Sequence, residues 1–329
     1  MAYHNISAAL ACLMLTAAPV VSATSDPAPG SSNPPPVNLP AVRARIVTTR
    51  PMKSREGLDY RIVISQPGGP PPPGGFPVVY VVDGNAWSGI AAEIARLDEL
   101  EVGPAVVVGI GYPTDALLDN ARRAYDLTPP GPAPAAAAGL KIGGADVFLR
   151  FIEEIVKPAV GTACKVDPDR QVLFGHSLGG LFVVHTLLTR PDAFTTYIAA
   201  SPSIWWSEGI VLQPEAVFEA HIDRHSRIRV LLTAGEYERD LDPVGEAKLR
   251  RLAAANPQLL KGKTVDAAIA GIREDMKKSR MIENASGLAD RLAAHGLKAR
   301  FVMFAGEDHN SEAVDALNRG IPFAVRAAD

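Results

Sequence analysis

Short runs of apolar residues recur along this chain, and segments with a helical period separate them. The run Val-Val-Tyr-Val-Val at residues 78–82 has no polar face, which is typical of a strand covered on both sides. Because helices lie between the strands from the third onward, the pattern predicts an α/β fold with a mainly parallel sheet and helices on both faces. Eight strands are predicted, at residues 42–49, 60–65, 78–82, 105–110, 171–174, 197–200, 228–233 and 300–304.

The first two strands are rich in β-branched residues with partial alternation, which predicts an antiparallel pair at one edge of the sheet. Two segments interrupt the regular pattern: a Pro/Ala stretch at residues 129–138 and a charged, helix-prone insertion at residues 239–278. Insertions at the carboxyl ends of strands commonly shape a substrate pocket, although the middle of the second one also fits a solvated helical decoration. Helical periodicity covers residues 87–100, 145–156, 178–188, 281–294 and 311–325.

The amino-terminal stretch predicts export from the cytoplasm. Residues 6–21 are almost wholly apolar, and Val21-Ser22-Ala23 provides the small residues that signal peptidase recognises. We therefore expect a signal peptide at residues 1–23, a Pro/Ser-rich linker at 24–41 and a domain at 42–329, in a periplasmic or secreted protein. The positively charged n-region is missing, and an uncleaved membrane anchor is the alternative.

Composition excludes several classes of function. The net charge of -3 gives no electrostatic reason to expect nucleic acid or an anionic membrane as a partner. Only Cys12 and Cys164 occur, and Cys12 falls in the predicted signal, so the mature chain would hold no internal disulfide. The histidines are scattered and no metal-ligand motif is present. We expect no metal, no cofactor and a small-molecule substrate, and the oligomeric state stays open.

The pentapeptide Gly175-His176-Ser177-Leu178-Gly179 has the G-x-S-x-G form. It directly follows an apolar strand and opens a helix, which is the setting that a nucleophile elbow requires. In such an elbow the serine has a strained backbone, and side chains in place of the glycines would collide with the neighbouring strand or helix. The sequence therefore predicts an α/β-hydrolase fold with Ser177 as the nucleophile.

A nucleophilic serine needs a base, and six histidines follow the predicted signal. His176 lies inside the elbow and His185 lies two turns along the helix. Three others lie at the amino-terminal edge of the sheet: His221, His225 and His295. His309 alone follows the last strand, at the carboxyl edge where Ser177 lies, and it is the predicted base.

The chain order of this fold places a carboxylate between nucleophile and base. The loop after the seventh strand offers Glu238 as the first choice, Glu236 as the second and Asp240 as the third. Asp308, beside the base, is interpreted as a loop-capping residue.

An oxyanion hole needs two donors. The N–H of Leu178 is one, and the N–H of Asn85, with Gly84 as the alternative, is expected to be the other. Asp83, at the start of that loop, is interpreted as a turn-forming residue.

At these residues the sequence resembles the putative-esterase (esterase D-like) branch of the α/β-hydrolases, and within it the periplasmic siderophore esterases that open the trilactone of enterobactin and glucosylated enterobactins. The resemblance spans residues 43–325 and is carried by residues 80–85, 126–129 after Arg123, 143–146, 174–180, 200–206 and 306–309.

The resemblance implies that Ser177 and His309 do the chemistry, with an orienting acid that is less constant, so that a Ser/His dyad is an alternative to Glu238. It also implies that Arg123 is a cation near the pocket, suited to an anionic catecholate or a ferric complex. Trp87, Trp205 and Trp206 are expected in loops at the active edge and could stack on aromatic acyl groups, although core packing is the default for at least one of them.

The sequence thus predicts a serine esterase acting on a siderophore trilactone or a related aromatic or acyl ester. A general carboxylesterase, an acyltransferase and a non-catalytic binding protein of the same fold are the alternatives.

Overall fold

The computed structural model describes residues 45–134 and 137–326. Its centre is one eight-stranded sheet, with the strands β1 (Ile46–Lys53), β2 (Asp59–Gln66), β3 (Phe76–Val82), β4 (Val106–Gly111), β5 (Val166–His176), β6 (Thr196–Ala200), β7 (Arg229–Gly235) and β8 (Lys298–Phe304). Their order in the sheet is β1-β2-β4-β3-β5-β6-β7-β8. β2 pairs antiparallel with both β1 and β4, and all other neighbours pair parallel, as the apolar runs predict.

The predicted export signal at 1–23 and the linker at 24–41 lie outside the described residues. Within the described residues, no helix is both long and apolar enough to cross a membrane.

Two strands extend four or five residues beyond their predicted bounds. β1 continues past residue 49 to Lys53, through Pro51, because an edge strand tolerates a residue without a ladder N–H. β5 begins at Val166 rather than at 171. Its amino-terminal half carries charged residues, so a search for apolar runs does not detect it.

The helices lie at or near the predicted positions. The helix expected at 145–156 is divided and extended: a π-turn occupies Ile152–Val156 and is followed by a further helix. Pro158 lies just beyond this turn and has no N–H to donate to the carbonyl of Glu154. The α-helices are α1 (Gly84–Leu97), α2 (Glu99–Val102), α3 (Asn120–Asp126), α4 (Ala145–Phe151), α5 (Lys157–Ala163), α6 (Leu178–Thr189), α7 (Glu215–Glu219), α8 (Pro243–Ala255), α9 (Val265–Ser279), α10 (Met281–Ala294) and α11 (Glu312–Val325).

The helices bury a separate hydrophobic cluster on each face of the sheet. On one face, α4, α6 and α10 pack on the strands through Phe148, Phe182 and Leu288. On the other face, α1 and α11 pack through Ile94 and Leu317. Such two-sided burial explains why the central strands have no polar face.

The segment at 239–278 is helical, with α8 and α9 as its main elements. These helices share a small cluster of their own around Leu249. They are also joined by ion pairs, since Arg273 binds Glu246 at 3.0 Å and Arg250 binds Asp266 at 2.8 Å. The helices thus form a small subassembly beside the sheet.

The order of the strands determines where a site can form. β3 and β5 are neighbours in the sheet. The chain continues from β3 to β4 on one side of this pair, and from β5 to β6 on the opposite side. In an open parallel sheet, the crevice beyond the carboxyl ends of two such strands is the usual place for a ligand. Residues 83–85 follow β3 and residues 177–178 follow β5, so both predicted loops lie at this crevice.

Candidate active site

Ser177 occupies a strained turn between β5 and α6. Its backbone angles are φ 60° and ψ −115°, a combination that costs of the order of 1–3 kcal/mol for a residue with a side chain. The turn is held on both sides, since the Ser177 N–H donates to the Ala200 carbonyl at 3.0 Å and its carbonyl accepts from the N–H of Ser203 at 3.1 Å. A Cβ atom at Gly175 would lie 2.2 Å from the carbonyl oxygen of Gly179, which explains the glycine there. The geometry is that of a nucleophile elbow.

A chain of hydrogen bonds links Ser177 to His309 and Glu238. Nε2 of His309 lies 3.0 Å from Oγ of Ser177, and Nδ1 of His309 lies 2.8 Å from Oε2 of Glu238. An ionised carboxylate only accepts hydrogen bonds, so Nδ1 carries a proton and Nε2 is left as the acceptor for the serine hydroxyl. The arrangement can therefore take the hydroxyl proton when Ser177 attacks a carbonyl.

The electrostatic environment favours the protonated form of His309. Burial alone would lower the pKa of His309, but the Glu238 carboxylate outweighs it through its charge and its hydrogen bond. Smaller contributions from Glu312 and Asp308 act in the same direction, and the pKa of His309 lies above its usual value.

Of the three acids considered from the sequence, Glu238 is the one that contacts His309. It is 4% exposed, and its Oε1 accepts hydrogen bonds from the Gly235 N–H at 2.8 Å and from the Ser201 hydroxyl. Glu236 turns away and accepts from the N–H of Gly306 at 2.9 Å. The third acid, Asp240, binds Arg273 at 2.9 Å.

Asp308 caps the loop that carries His309. Its Oδ1 accepts from the N–H groups of Asn310 and Ser311, at 2.8 and 2.9 Å. Its carbonyl accepts from the N–H of Glu312, the first residue of α11. The loop therefore holds its shape through its own backbone, as expected for a capping aspartate.

His176 is a part of the site that the sequence analysis did not assign. Its side chain is buried, and Nε2 lies 2.6 Å from the carbonyl oxygen of His309. Because a carbonyl only accepts, Nε2 of His176 is the donor. Burial lowers the pKa of His176 well below its usual value, so the ring is neutral. Its position in the elbow was visible in the sequence, but its contact with a loop 133 residues away was not.

The two expected oxyanion donors lie at the starts of neighbouring helices. Leu178 is the first residue of α6, and Asn85 is in the first turn of α1, where backbone N–H groups have no intrahelical acceptor. The Asn85 side chain is tied to the segment after β4: it accepts from the Tyr112 N–H at 2.8 Å and donates to the Thr114 carbonyl at 2.8 Å. Its backbone is thereby fixed at the crevice.

Arg123 does not have the exposed position expected of a ligand-binding cation. It is 7% exposed, and its Nε and Nη2 both donate to the buried carboxylate of Asp83, with Nη2 to Oδ2 at 2.9 Å. Asp83 has a left-handed backbone with φ 51° and directly precedes α1, whose first turn contains Asn85. Arg123 is thus a buried cation whose charge is paired with Asp83, the predicted turn-forming residue, and its predicted role as a cation near the pocket stays a prediction.

The three tryptophans differ in their surroundings. Trp206 is 5% exposed and belongs to the main hydrophobic cluster, so it is a tryptophan for which the default of core packing applies. Trp87 is in the first turn of α1 rather than in a loop, and its ring packs edge-on against His176 with centroids 5.4 Å apart. Trp205 is half-buried and lies two residues after Ser203, which binds the backbone of Ser177. Trp87 and Trp205 are both half-buried and therefore keep some surface that a ligand could meet.

Three buried polar residues behind the acid were also missed. The Ser201 hydroxyl donates to Glu238, and the Thr233 hydroxyl donates to Glu312 at 2.7 Å. Ser201 lies in residues 200–206, one of the segments that carry the family resemblance, so that segment was the available signal. Glu312 had no comparable signal, because a glutamate at the start of a helix normally faces solvent.

Known proteins are similar to this chain in sequence and in architecture. Residues 55–272 match the family described as Putative esterase. The chain is 36% identical over 302 residues to ferri-bacillibactin esterase BesA of Bacillus subtilis, over 87% of this chain and 90% of that protein. It is 36% identical over 265 residues to the siderophore enterobactin esterase of Emericella nidulans, over 74% and 80%.

The solved structure of the siderophore hydrolase EstA from Aspergillus nidulans superposes with a TM-score of 0.70 at 32% identity, over 90% of this chain and 99% of that one. The sheet order, the relatives and the family match agree on the fold and on the reaction class, and they confirm both predictions. The chain therefore belongs to the putative esterase family of α/β-hydrolases and is a carboxylic ester hydrolase.

Proposed function

We propose that this esterase works through a Ser177–His309–Glu238 triad. The observation that supports it most is the continuous hydrogen-bond chain from the Ser177 hydroxyl through both ring nitrogens of His309 to a buried carboxylate. Ser177 attacks the ester carbonyl while Nε2 of His309 takes its proton, and His309 then gives that proton to the leaving alkoxide. Water activated by the same nitrogen hydrolyses the acyl-enzyme.

The tetrahedral intermediate needs donors for its oxyanion. The N–H groups of Leu178 and Asn85 are proposed for this role because both lie in first turns of helices at the same edge of the sheet. The helix dipoles add to the stabilisation of the developing negative charge. Removal of one such donor typically reduces kcat by about 10²–10³-fold.

The proposed substrate is a siderophore with ester linkages, of the enterobactin trilactone kind. The support is the set of relatives named for siderophores, two of which are 36% identical over most of this chain. Half-buried Trp205 near the nucleophile provides an aromatic face for an aromatic acyl group.

A hydrolysis panel tests the substrate. Ferric and iron-free enterobactin are compared with p-nitrophenyl acyl esters and feruloyl esters at equal concentration, and kcat/KM is measured for each. We expect kcat/KM to be highest for a siderophore. A preference of tenfold or more for the simple esters would instead indicate a general carboxylesterase. Product analysis with an added sugar acceptor detects acyl transfer in place of hydrolysis.

We also propose that the protein acts outside the cytoplasm. The support is the apolar stretch at residues 6–21 followed by Val21-Ser22-Ala23. Mass spectrometry of the full-length chain expressed in a Gram-negative host should find a periplasmic form that begins at Thr24. Recovery of the intact chain from the cytoplasm would contradict this proposal.

A further inference from the structure

A second carboxyl group lies buried behind the acid of the triad. Glu312 is 0% exposed, and its Oε1 accepts from the Thr233 hydroxyl at 2.7 Å. Its Oε2 is buried and, among the described residues, has no hydrogen-bond partner. A buried carboxylate with an unpaired oxygen is costly, whereas a protonated carboxyl group has an O–H to donate. The environment therefore favours a carboxyl group that keeps its proton.

Ser201 lies between the two carboxyl groups. Its hydroxyl donates its one proton to Oε1 of Glu238, and it lies close enough to the carboxyl group of Glu312 to influence the pKa of that group. Ser201 has φ 39°, and its N–H donates to the carbonyl of Thr233 at 3.0 Å, which fixes both hydroxyls beside Glu312. With Glu312 protonated, its O–H can donate to Ser201, which in turn donates to Glu238.

We propose that Glu312 is a positioning residue for the esterase reaction, acting through the Ser201 hydroxyl and the Glu238 carboxylate on the protonation of His309. The inference rests on the function proposed above. The neutral form keeps the Ser201 hydroxyl directed at Glu238. The ionised form competes for that hydroxyl and adds a second negative charge near the imidazole, which stabilises its protonated form.

The carboxyl group of Glu312 titrates in the pH range in which His309 works. Burial, together with the nearby charge of Glu238, raises the pKa of Glu312 to about 7. His309 opposes that rise, and Glu312 in turn helps to raise the pKa of His309, so the two groups titrate together. The other titratable or charged groups near this pair are Glu238, Asp308, His176 and Arg123.

The test is the pH profile of Glu312→Gln, measured on the full chain with a p-nitrophenyl ester. An amide has nearly the shape of the carboxyl group and can still donate to Ser201, but it cannot ionise. We expect the acid limb of kcat/KM to move to lower pH by about 0.5 unit or more, with KM unchanged. Asp315→Asn is the matched control, because it removes a charge from the same helix away from Ser201 and should leave the limb where it is.

A second variant covers the case in which Glu312→Gln does not fold. Thr233→Val removes the donor to Glu312 with little change of shape, so Glu312 stays neutral to higher pH and the limb should again move down. An unmoved limb in a folded variant overturns the proposal.

The NMR titration of the His309 ring in the unaltered protein needs no substrate. We expect two inflections, and a single inflection would contradict the coupling to Glu312. An absence of ester hydrolysis by the unaltered protein would overturn the proposed function instead, while this titration would still test the coupling.

Discussion

Replacement of Glu238 by glutamine should reverse the proton positions on His309. Oε1 of Glu238 accepts from the Gly235 N–H and from the Ser201 hydroxyl, and a backbone N–H cannot accept. The amide oxygen of the variant must therefore take the Oε1 position, which places the NH₂ group opposite Nδ1 of His309. Nδ1 then has to accept, so the ring proton moves to Nε2, where it faces Ser177 and blocks removal of the hydroxyl proton.

The wrong tautomer should lower kcat by ~10³ to 10⁴-fold, and this corresponds to about 4–5 kcal/mol in the activation barrier. The remaining acid limb should also move to lower pH, because the main group that raises the pKa of His309 is lost. Steady-state hydrolysis of a p-nitrophenyl ester from pH 5 to 9 measures both effects.

Asp240→Asn is the matched control for this variant, since Asp240 binds Arg273 at the surface and should leave kcat unchanged. If Glu238→Gln keeps more than a tenth of the activity with an unmoved acid limb, a Ser/His dyad is sufficient and the reasoning is refuted.

The remaining predictions follow from the other buried groups. The acid limb of the kcat/KM profile should have its midpoint above about pH 6.5, because the pKa of His309 is raised and activity needs the neutral ring. A flat profile from pH 5 to 8 would exclude His309 as the base. Arg123→Ala should lower the free energy of unfolding in urea by about 3–5 kcal/mol because it leaves Asp83 buried and unpaired. The exposed Arg150→Ala is the control and should cost less than about 1 kcal/mol. An Arg123→Ala protein of normal stability with a raised KM for a ferric siderophore would instead indicate that Arg123 binds the ligand.

For Glu312, the folded-state pKa of about 7 exceeds the unfolded value of 4.5, so the unfolding free energy should fall by about 3 kcal/mol as the pH rises from 4.5 through 7. Glu312→Gln should remove that loss. Urea unfolding of both proteins at pH 5 and pH 8 checks this. A difference in unfolding free energy between the two proteins that is the same at both pH values would contradict it.

The elements that the sequence predicted are those that depend on local pattern and on strand direction. Ser177 was identified because an elbow is a local feature between an apolar strand and a helix. His309 was selected from six histidines because only it follows the last parallel strand at the carboxyl edge. Glu238 is one of three acidic residues in one short loop, and only the tertiary fold decides which of them faces the imidazole.

The parts that were missed depend on contacts between distant segments. The buried pairing of Arg123 was missed because its partner, Asp83, is 40 residues away in the chain. Glu312 and Ser201 meet behind Glu238 because β6, β7 and the start of α11 converge there, and no local pattern marks that meeting. The first half of β5 was missed for a different reason: there only Val166 pairs with β3, and the charged residues 167–170 fall in an irregularity of the pairing before it resumes at Gln171.

The central claim is that Ser177 forms the acyl-enzyme in ester hydrolysis. Mass spectrometry of the protein quenched during turnover of a p-nitrophenyl ester, alongside the rate for Ser177→Ala, tests it most directly. The account predicts one acyl group on the peptide that contains Ser177, and a Ser177→Ala protein that is folded but loses at least ~10³-fold in kcat. An undiminished rate in Ser177→Ala, or an acyl group on another residue, would contradict it.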